Sequence, residues 1–392
     1  MTHVGSLPRP APVVDLLARR EAGEPVDPTA FESIVGTAVR DVVRRQIATG
    51  MDVVSDGETG KVNYGTYVKD RLTGFSGALD GIVARDVRDY PEFRRKMALL
   101  TGTHIQRRAA CTGPVSYVGE AEVRADLTRL RAATAAAAAE EAFVNAASPG
   151  VVTVFLPNRH YPSYAAYLEA VAAAMRHEYR LIVEAGFLLQ VDCPDLAMGR
   201  HTAFQDLSDA EFLKQAALQV EALNVALDGI PAERVRMHLC WGNYEGPHDH
   251  DVPLASIIGI VLEAKPQAIL FEAANPRHEH EWTVWRDARL PDDKILVPGV
   301  VSTTTNYVEH PDLVAERLGR FAAIVGRERV IAGTDCGFGT SAGFGKMDPE
   351  ISYRKLEALA EGARRASQRL WGRAPDQERP IREDPIHAAY TP

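Results

Sequence analysis

The sequence lacks several features that would place it in a special class of protein. It contains no uninterrupted run of about 18 apolar residues, the length that a transmembrane helix needs. Its first residues, MTHVGSLPRP, lack the basic and apolar regions of a secretory leader. No block of basic residues occurs, and 53 acidic against 44 basic side chains give a net charge of -9. We therefore expect a cytoplasmic protein whose partners are neither nucleic acids nor membranes.

Cysteine is also scarce, with four residues in a chain of 392. Cys111, Cys193, Cys240 and Cys336 lie far apart in the sequence and do not form the dense disulfide framework of a small secreted domain. In a reducing compartment their expected uses are core packing or metal binding. The apolar content of 46% and the charged content of 25% are those of an ordinary globular protein.

Eight short apolar or β-branched segments recur along the chain, and most are followed by a helical pattern. Near-continuous apolar strands are typical of a parallel sheet that is buried on both faces. Eight strand–helix units predict an α/β fold, a (β/α)8 barrel of the TIM type. The predicted strands are residues 3–7, 51–58, 151–157, 187–194, 234–240, 268–274, 294–301 and 329–337.

Residues from about 60 to 150 interrupt this alternation, and we predict an inserted hairpin and helix region after the second strand. The insertion contains TGPVSY (112–117), which is typical of a hairpin, and an alanine-rich helix over 130–147. From about residue 373 the chain is rich in proline and charge, which predicts a wrapping or partly mobile tail. The sequence thus predicts one barrel domain over residues 1–392.

Potential metal ligands are concentrated at the carboxyl ends of the predicted strands, where barrels place their functional groups. His238 and Cys240 are two residues apart on one strand, so their side chains point to the same face and could bind one ion. Cys336 would add a second thiolate, and Glu272 a weaker carboxylate that a substrate could displace. Such a set suits zinc. The alternative is that the cysteines are small buried apolar residues.

Two histidine-rich stretches are less promising as metal sites. HDHD (248–251) follows a Gly-Pro turn, and HEH (278–280) follows a proline. We interpret both as solvated loop residues.

Six motifs then make the sequence recognisable. In their order they resemble the catalytic barrel of the cobalamin-independent methionine synthase family, and the resemblance covers most of the chain. The motifs are HVGS (3–6), DGE (56–58), QVD (190–192), MHLC (237–240), LFEA (270–273) and TDCG (334–337).

The resemblance implies one zinc ion per chain, which activates a small thiol for attack on an alkyl group. In the family the thiol is homocysteine. The implied zinc ligands are His238, Cys240, Glu272 and Cys336, and the residues implied to hold the amino-acid end of the thiol are Gly5, Ser6, Glu58 and Asp192. Helix capping or ion pairing is the structural alternative for Glu58 and Asp192.

Two departures from the family pattern concern the alkyl donor. GVVSTTTNYVEH (299–310) places Thr304 where the family has a proton-donating histidine, and threonine cannot supply a proton as imidazole does. We therefore assign no catalytic residue beyond the zinc site. FLPNRHYPSY (155–164), at the end of the predicted third strand, lacks the tryptophan that stacks on folate in the family.

Three functions stay open at this point. The first is zinc-dependent transfer of a methyl or related alkyl group to a small thiol, with homocysteine as the default acceptor. The second is opening of an epoxide by zinc-bound coenzyme M, as in epoxyalkane:coenzyme M transferases. The third is a non-catalytic barrel that binds a thiol through zinc, and a homo-oligomer is compatible with each. Glu58 and Asp192 favour an amino-bearing thiol, whereas four cations near strand ends could serve a sulfonate or carboxylate: Arg9, Lys61, Arg159 and Arg200.

Overall fold

The computed structural model describes residues 1–101, 105, 107–345 and 347–372, so the predicted tail from about residue 373 lies outside the described residues. Six strands form one parallel sheet in the order β1-β4-β5-β6-β7-β8, and β2 pairs with β3 in an antiparallel hairpin. The strands are β1 (Val53–Ser55), β2 (Phe75–Leu79), β3 (Arg108–Cys111), β4 (Glu141–Ala147), β5 (Leu188–Asp192), β6 (Val235–Leu239), β7 (Ala268–Phe271) and β8 (Ile295–Pro298).

Two extended segments link the edges of this curled sheet. Beside β1, the carbonyl of Met1 accepts a hydrogen bond from the amide of Val53 (3.1 Å). Beside β8, Val330 forms a parallel bridge to the strand. The two segments meet where the amide of Thr2 donates to the carbonyl of Ala332 (3.0 Å). The chain therefore forms the predicted α/β barrel, with the first and last predicted strands as short extended segments rather than regular strands.

The predicted third strand is wrong. Residues 151–157 lie largely in a helix, α6 (Pro149–Phe155), which is capped by Ser148: its Oγ accepts from the amide of Val151 (2.9 Å). The strand at this place in the barrel is β4, which we expected to be the end of an alanine-rich helix. That helix ends at Ala137, because Ala138 adopts a left-handed conformation (φ 51°) and turns the chain into β4. Pairing of β4 between β1 and β5 overrides the helical propensity of its alanines.

Helices cover the outside of the sheet, and β2, β3 and helices α3 to α5 form the inserted region after β1. Within the part of the chain that the structure describes, no helix is both long and apolar enough to cross a membrane. The helices are α1 (Ala11–Glu21), α2 (Pro28–Ala48), α3 (Arg85–Asp89), α4 (Pro91–Leu100), α5 (Glu120–Ala137), α6 (Pro149–Phe155), α7 (Tyr164–Glu184), α8 (Asp209–Ala226), α9 (Leu254–Leu262), α10 (Trp282–Asp287), α11 (Pro311–Val325) and α12 (Pro349–Trp371).

The twofold period of the strands separates an outer core from the barrel interior. The large hydrophobic core lies between the sheet and the helices, whereas Val4, Leu270 and Val297 form a small separate cluster. The strand register aligns Asp192 with His238, His238 with Leu270, and Leu270 with Val297. Since residues aligned across parallel strands face the same way, Asp192 and His238 point into the barrel.

Candidate metal and substrate site

Three of the four predicted metal ligands lie together at the carboxyl end of the barrel. His238, Cys240 and Cys336 are buried, and one ligand atom from each lies within 4.8 Å of the others. The two Sγ atoms are 3.7 Å apart. Two thiolates bound to one tetrahedral zinc at bond lengths of about 2.3 Å would be separated by about 3.8 Å. The cluster thus fits zinc in both its donor types and its sulfur spacing.

The electrostatics of the cluster also fit a cation. The hydrogen bond with Cys336, burial, and the nearby charges of Cys336 and Glu272 together raise the pKa of the Cys240 thiol well above its usual value. Without a positive charge, the two sulfurs resist ionisation in this buried place. A divalent ion removes that obstacle, because a coordinated thiol is deprotonated.

Glu272 lies beside the cluster but outside the group of three close ligand atoms. Its Oε1 accepts from the backbone amide of Trp241 (2.8 Å), and its Oε2 from Nδ2 of Asn275 (2.6 Å). The same Asn275 amide contacts Oδ2 of Asp335 (3.2 Å), the residue before Cys336. Protein donors therefore hold both oxygens of Glu272 next to two ligand-bearing segments, and its place as a fourth, displaceable ligand stays a prediction.

Asp192 contacts a predicted metal ligand directly. Its Oδ1 lies 3.3 Å from Nδ1 of His238. Its Oδ2 accepts from Nδ2 of Asn145 on β4 (3.0 Å). The carboxylate is buried and held by side chains of the barrel, so the contacts that we observe orient His238. A contact with the substrate, as predicted from the sequence, stays untested.

Gly5 and Ser6 are packed against this site from the first segment. Gly5 has φ +138°, and a Cβ there would lie 2.2 Å from Oδ1 of Asn145, so only glycine fits. A Cβ on Gly337, the residue after Cys336, would lie 1.9 Å from Oγ of Ser6. Gly5 and Gly337 therefore allow residues 5–6 to pack closely against Asn145, which donates to Asp192, and against the residue that follows Cys336.

Glu58 is a strained residue with an unpartnered acceptor. It directly follows β1 and Asp56-Gly57, and it has φ 52° and an exposed fraction of 2%. Among the described residues, its Oε2 has no hydrogen-bond partner. Burial and the negative charge of Asp192 raise the pKa of Glu58 to about 7. A buried carboxylate oxygen without a donor is costly, so a ligand that donates hydrogen bonds would stabilise this arrangement.

The cations proposed for an anionic substrate are largely engaged by the protein. The guanidinium of Arg9 donates to the carbonyls of Glu58 and Gly339. Nζ of Lys61 donates to the carbonyl of Asn145 (2.6 Å), and Arg200 pairs with Asp209 (2.9 Å). The side chain of Arg159 is exposed.

Thr304 lines a cavity of about 450 Å³ together with Asn243, Phe338 and Thr340. Asn243 lies shortly after Cys240, and Phe338 and Thr340 lie shortly after Cys336. Nδ2 of Asn243 joins these two loops by donating to the carbonyl of Gly337 (2.6 Å). His310 does not replace the missing histidine. Its side chain is 72% exposed, and its Nδ1 accepts from the amide of Asp312 at the start of α11 (3.2 Å).

The expectation of solvated side chains is wrong for His248, Asp251 and His278, whereas Asp249 and His280 are exposed as expected. Asp251 is buried at the centre of three imidazoles: it lies 3.0 Å from Nδ1 of His201, 3.0 Å from Nδ1 of His248 and 2.9 Å from Nε2 of His278. The loop folds inward because two of these partners, His201 and His278, come from other parts of the chain, which the local Gly-Pro turn does not reveal. His280 and Asp249 do not join the cluster, and His250 pairs with Asp89 (2.9 Å) nearer the surface.

Replacing Asp251 with asparagine is expected to lower the free energy of unfolding by about 3 kcal/mol at pH 6, because it leaves buried imidazoles without their anion. Burial disfavours the imidazolium of His278, but hydrogen bonds with Asp251 and Glu281 outweigh it and raise its pKa from 6.5 to about 10. This contribution is fully present below pH 6.5 and is lost as the pH rises through 10. Urea unfolding at pH 6 and pH 9 would measure both effects, and the variant should show a smaller decline with pH.

Asp89→Asn is the matched control, since its partner His250 is at the surface. It should change the free energy of unfolding by less than about 1 kcal/mol. Equal effects of the two substitutions, or an unchanged pH dependence in Asp251→Asn, would contradict the role given to the buried cluster.

The chain is similar to known proteins over most of its length. A family model described as "Cobalamin-independent synthase, Catalytic domain" matches residues 1–344. A relative from Xanthobacter autotrophicus, named 2-hydroxypropyl-CoM lyase, is 24% identical over 388 residues, which cover 92% of this chain and 93% of the relative. A methionine synthase from Saccharolobus islandicus is 23% identical over 368 residues, covering 93% of each chain.

Solved structures share the fold. A B12-independent methionine synthase from Shewanella sp. W3-18-1, in complex with selenomethionine, has a TM-score of 0.70 at 20% identity and covers 95% of this chain and 98% of its own. A protein from Listeria monocytogenes, described as a putative vitamin-B12 independent methionine synthase, has a TM-score of 0.63 at 18% identity, covering 92% and 95%.

Proposed function

The chain belongs to the family of cobalamin-independent synthase catalytic domains, and we propose that it catalyses zinc-dependent transfer of a methyl or related alkyl group to a small thiol that carries an amino group, homocysteine by default. The observation that carries this proposal is the buried cluster of His238, Cys240 and Cys336, with the unpartnered carboxylate oxygen of Glu58 nearby in the barrel mouth. One barrel domain with an insertion at about residues 60–150 would contain the whole site.

The ligands that we propose for zinc are His238, Cys240 and Cys336, with Glu272 as the displaceable fourth. When bound, zinc supplies the positive charge that keeps a substrate thiol deprotonated at neutral pH, where a free thiol with a pKa of about 8.5 is mostly protonated. The protein contributes the fixed positions of these side chains. Asn275 and the amide of Trp241 would hold Glu272 in place as this ligand.

The amino group of the thiol is inferred from the acceptors around the site. An ammonium would give Oε2 of Glu58 the donor that it lacks, and it would offset the negative charges of Glu58 and Asp192. A sulfonate offers no donor. The nearby cations Arg9 and Lys61 already donate to backbone carbonyls, which leaves them less able to bind one.

Coenzyme M with an epoxide is the second candidate, and the residues at position 304 and around it favour it. A threonine in place of an imidazole suits an epoxide as the alkyl donor. The epoxide oxygen can accept a hydrogen bond from a hydroxyl, whereas the leaving group of methyl-folate needs a proton from an acid such as imidazole. Thr303, Thr304 and Thr340 line the cavity. The Xanthobacter relative carries a name from this group of activities.

A product screen by mass spectrometry tests these alternatives. Purified zinc-loaded protein would be offered homocysteine or coenzyme M, each with methyl-folate, a simple methyl donor or a short epoxide. We expect an alkylated homocysteine. Alkylated coenzyme M alone would favour the second candidate, and no product with either thiol, despite bound zinc, would favour a non-catalytic thiol-binding barrel.

A further inference from the structure

A buried arginine lies inside the barrel below the candidate metal site. Arg236 is on β6, two residues before His238, so both side chains face the barrel interior. Its guanidinium lies over the ring of Phe143 (3.7 Å to the centroid), and it donates to Oγ1 of Thr2 and to the carbonyl of His3 (both 2.9 Å). In the described part of the chain, no carboxylate forms an ion pair with it. A buried charge without a direct counter-ion is costly, which calls for an explanation.

The third nitrogen of this guanidinium fixes the orientation of an amide. Nε of Arg236 donates to Oε1 of Gln190 (2.8 Å). Arginine has donors only, so the oxygen of this amide must face it and the NH2 group must point the other way. There Nε2 of Gln190 donates to Oδ1 of Asp192 (3.2 Å) and to the carbonyl of Val4.

Asp192 connects Gln190 to the proposed metal ligand His238. Asp192 receives donors from Gln190 and Asn145, and its Oδ1 is 3.3 Å from Nδ1 of His238. A carboxylate accepts hydrogen bonds, so Nδ1 of His238 must carry the proton. The other ring nitrogen, Nε2, faces the segment that bears Cys336, 3.3 Å from the carbonyl of Asp335, and is the nitrogen left for a metal. Outer partners of this kind set the tautomer and the direction of a metal-binding imidazole.

We infer that Arg236 and Gln190 are positioning residues, which act through Asp192 to present Nε2 of His238 to the metal. This inference rests on the proposed zinc site. It also gives Asp192 a role in holding a ligand, besides any contact with the substrate. The sequence spacing indicates this hydrogen-bonded series. Gln190 precedes Asp192 by two residues, as Arg236 precedes His238, so all four side chains point inward from neighbouring strands.

The test uses cobalt(II) as a spectroscopic replacement for zinc in the full-length protein. Cobalt bound to thiolates gives a strong near-ultraviolet charge-transfer absorption, and chelator competition gives its affinity. Gln190→Glu keeps the size of the side chain and its contact with Arg236, but turns an acceptor toward Asp192. We expect its cobalt affinity to fall by about 10- to 100-fold, the effect usual for outer partners of a metal ligand. Gln190→Met, which removes the donor without adding a charge, should weaken binding in the same direction.

Arg317→Met is the control for a destabilising substitution of a buried polar side chain. Arg317 donates to the carbonyls of Val300 (3.0 Å) and Ala274 (3.2 Å) and pairs with Glu279 (3.1 Å). None of these contacts involves the hydrogen-bonded series from Arg236 to His238. The substitution should lower the melting temperature but leave the cobalt affinity unchanged. Folded Gln190→Glu and Gln190→Met proteins with wild-type cobalt affinity and spectrum would overturn the inference. A wild-type protein that binds neither metal would overturn the proposed zinc site itself.

Discussion

Replacing Cys336 with serine is expected to abolish stoichiometric zinc binding and to lower the rate of alkyl transfer by more than about 100-fold. The loss should exceed the effect usual for outer partners of a metal ligand, because the substitution removes a ligand itself. A serine hydroxyl is a harder and far less acidic donor than a thiol, so it stays protonated at neutral pH and leaves the site one ligand short. Metal analysis of the purified proteins, beside the rate with the best thiol and donor, measures both effects.

Cys111→Ser provides the matched control for this prediction. Cys111 is also buried, but its Sγ contacts the carbonyl of Gly113 at the end of β3 (3.4 Å), away from the cluster. This variant should keep one zinc per chain and the wild-type rate. A stable protein without stoichiometric zinc, both in the wild type and in Cys336→Ser, would rule out the proposed metal site.

The metal cluster was predictable because it depends on rules that act over short distances. The two-residue spacing of His238 and Cys240 places both on one face of any strand. Cys336 joins them because parallel strands of a barrel end at one rim. Neither step needs the loop conformations, which explains why these three side chains come together although the third predicted strand is wrong.

The failures occur where tertiary contacts decide the local structure. The β-branched run at 151–154 forms a helix once Ser148 caps it, and the strand is made instead by residues 141–147. The histidine cluster was missed for a similar reason, since Asp251 is buried by partners that lie up to 50 residues away in the chain. Composition alone makes such a loop look solvated.

Gln190 and Arg236 illustrate a signal that the sequence did contain. Each is a polar residue between two apolar neighbours in its strand, and each lies two positions before a site residue on the same face. A twofold period therefore assigns them to the barrel interior, where a polar side chain needs a partner. What the sequence does not give is which partners they choose, because that depends on the register between β5 and β6.

Replacing Glu58 with glutamine is expected to lower kcat/KM for homocysteine by about 100-fold while leaving the zinc content unchanged. Removing one partner of a buried, hydrogen-bonded charge pair costs about 2 to 5 kcal/mol, and about 2.7 kcal/mol corresponds to this factor. The same substitution should have little effect on 4-sulfanylbutanoate, which is homocysteine without its amino group. Steady-state kinetics with both thiols gives the comparison.

The pH dependence separates the proposed ammonium contact from a general effect on the site. Burial and Asp192 raise the pKa of Glu58 to about 7, so below that pH the protonated form no longer offers a charge to the ammonium. In the wild type, the ratio of kcat/KM for homocysteine to that for 4-sulfanylbutanoate should fall as the pH decreases through about 7. Loss of zinc or protonation of its ligands would affect both thiols and cancel in the ratio. A ratio that is independent of pH, and equal in the wild type and Glu58→Gln, would show that Glu58 does not bind the amino group.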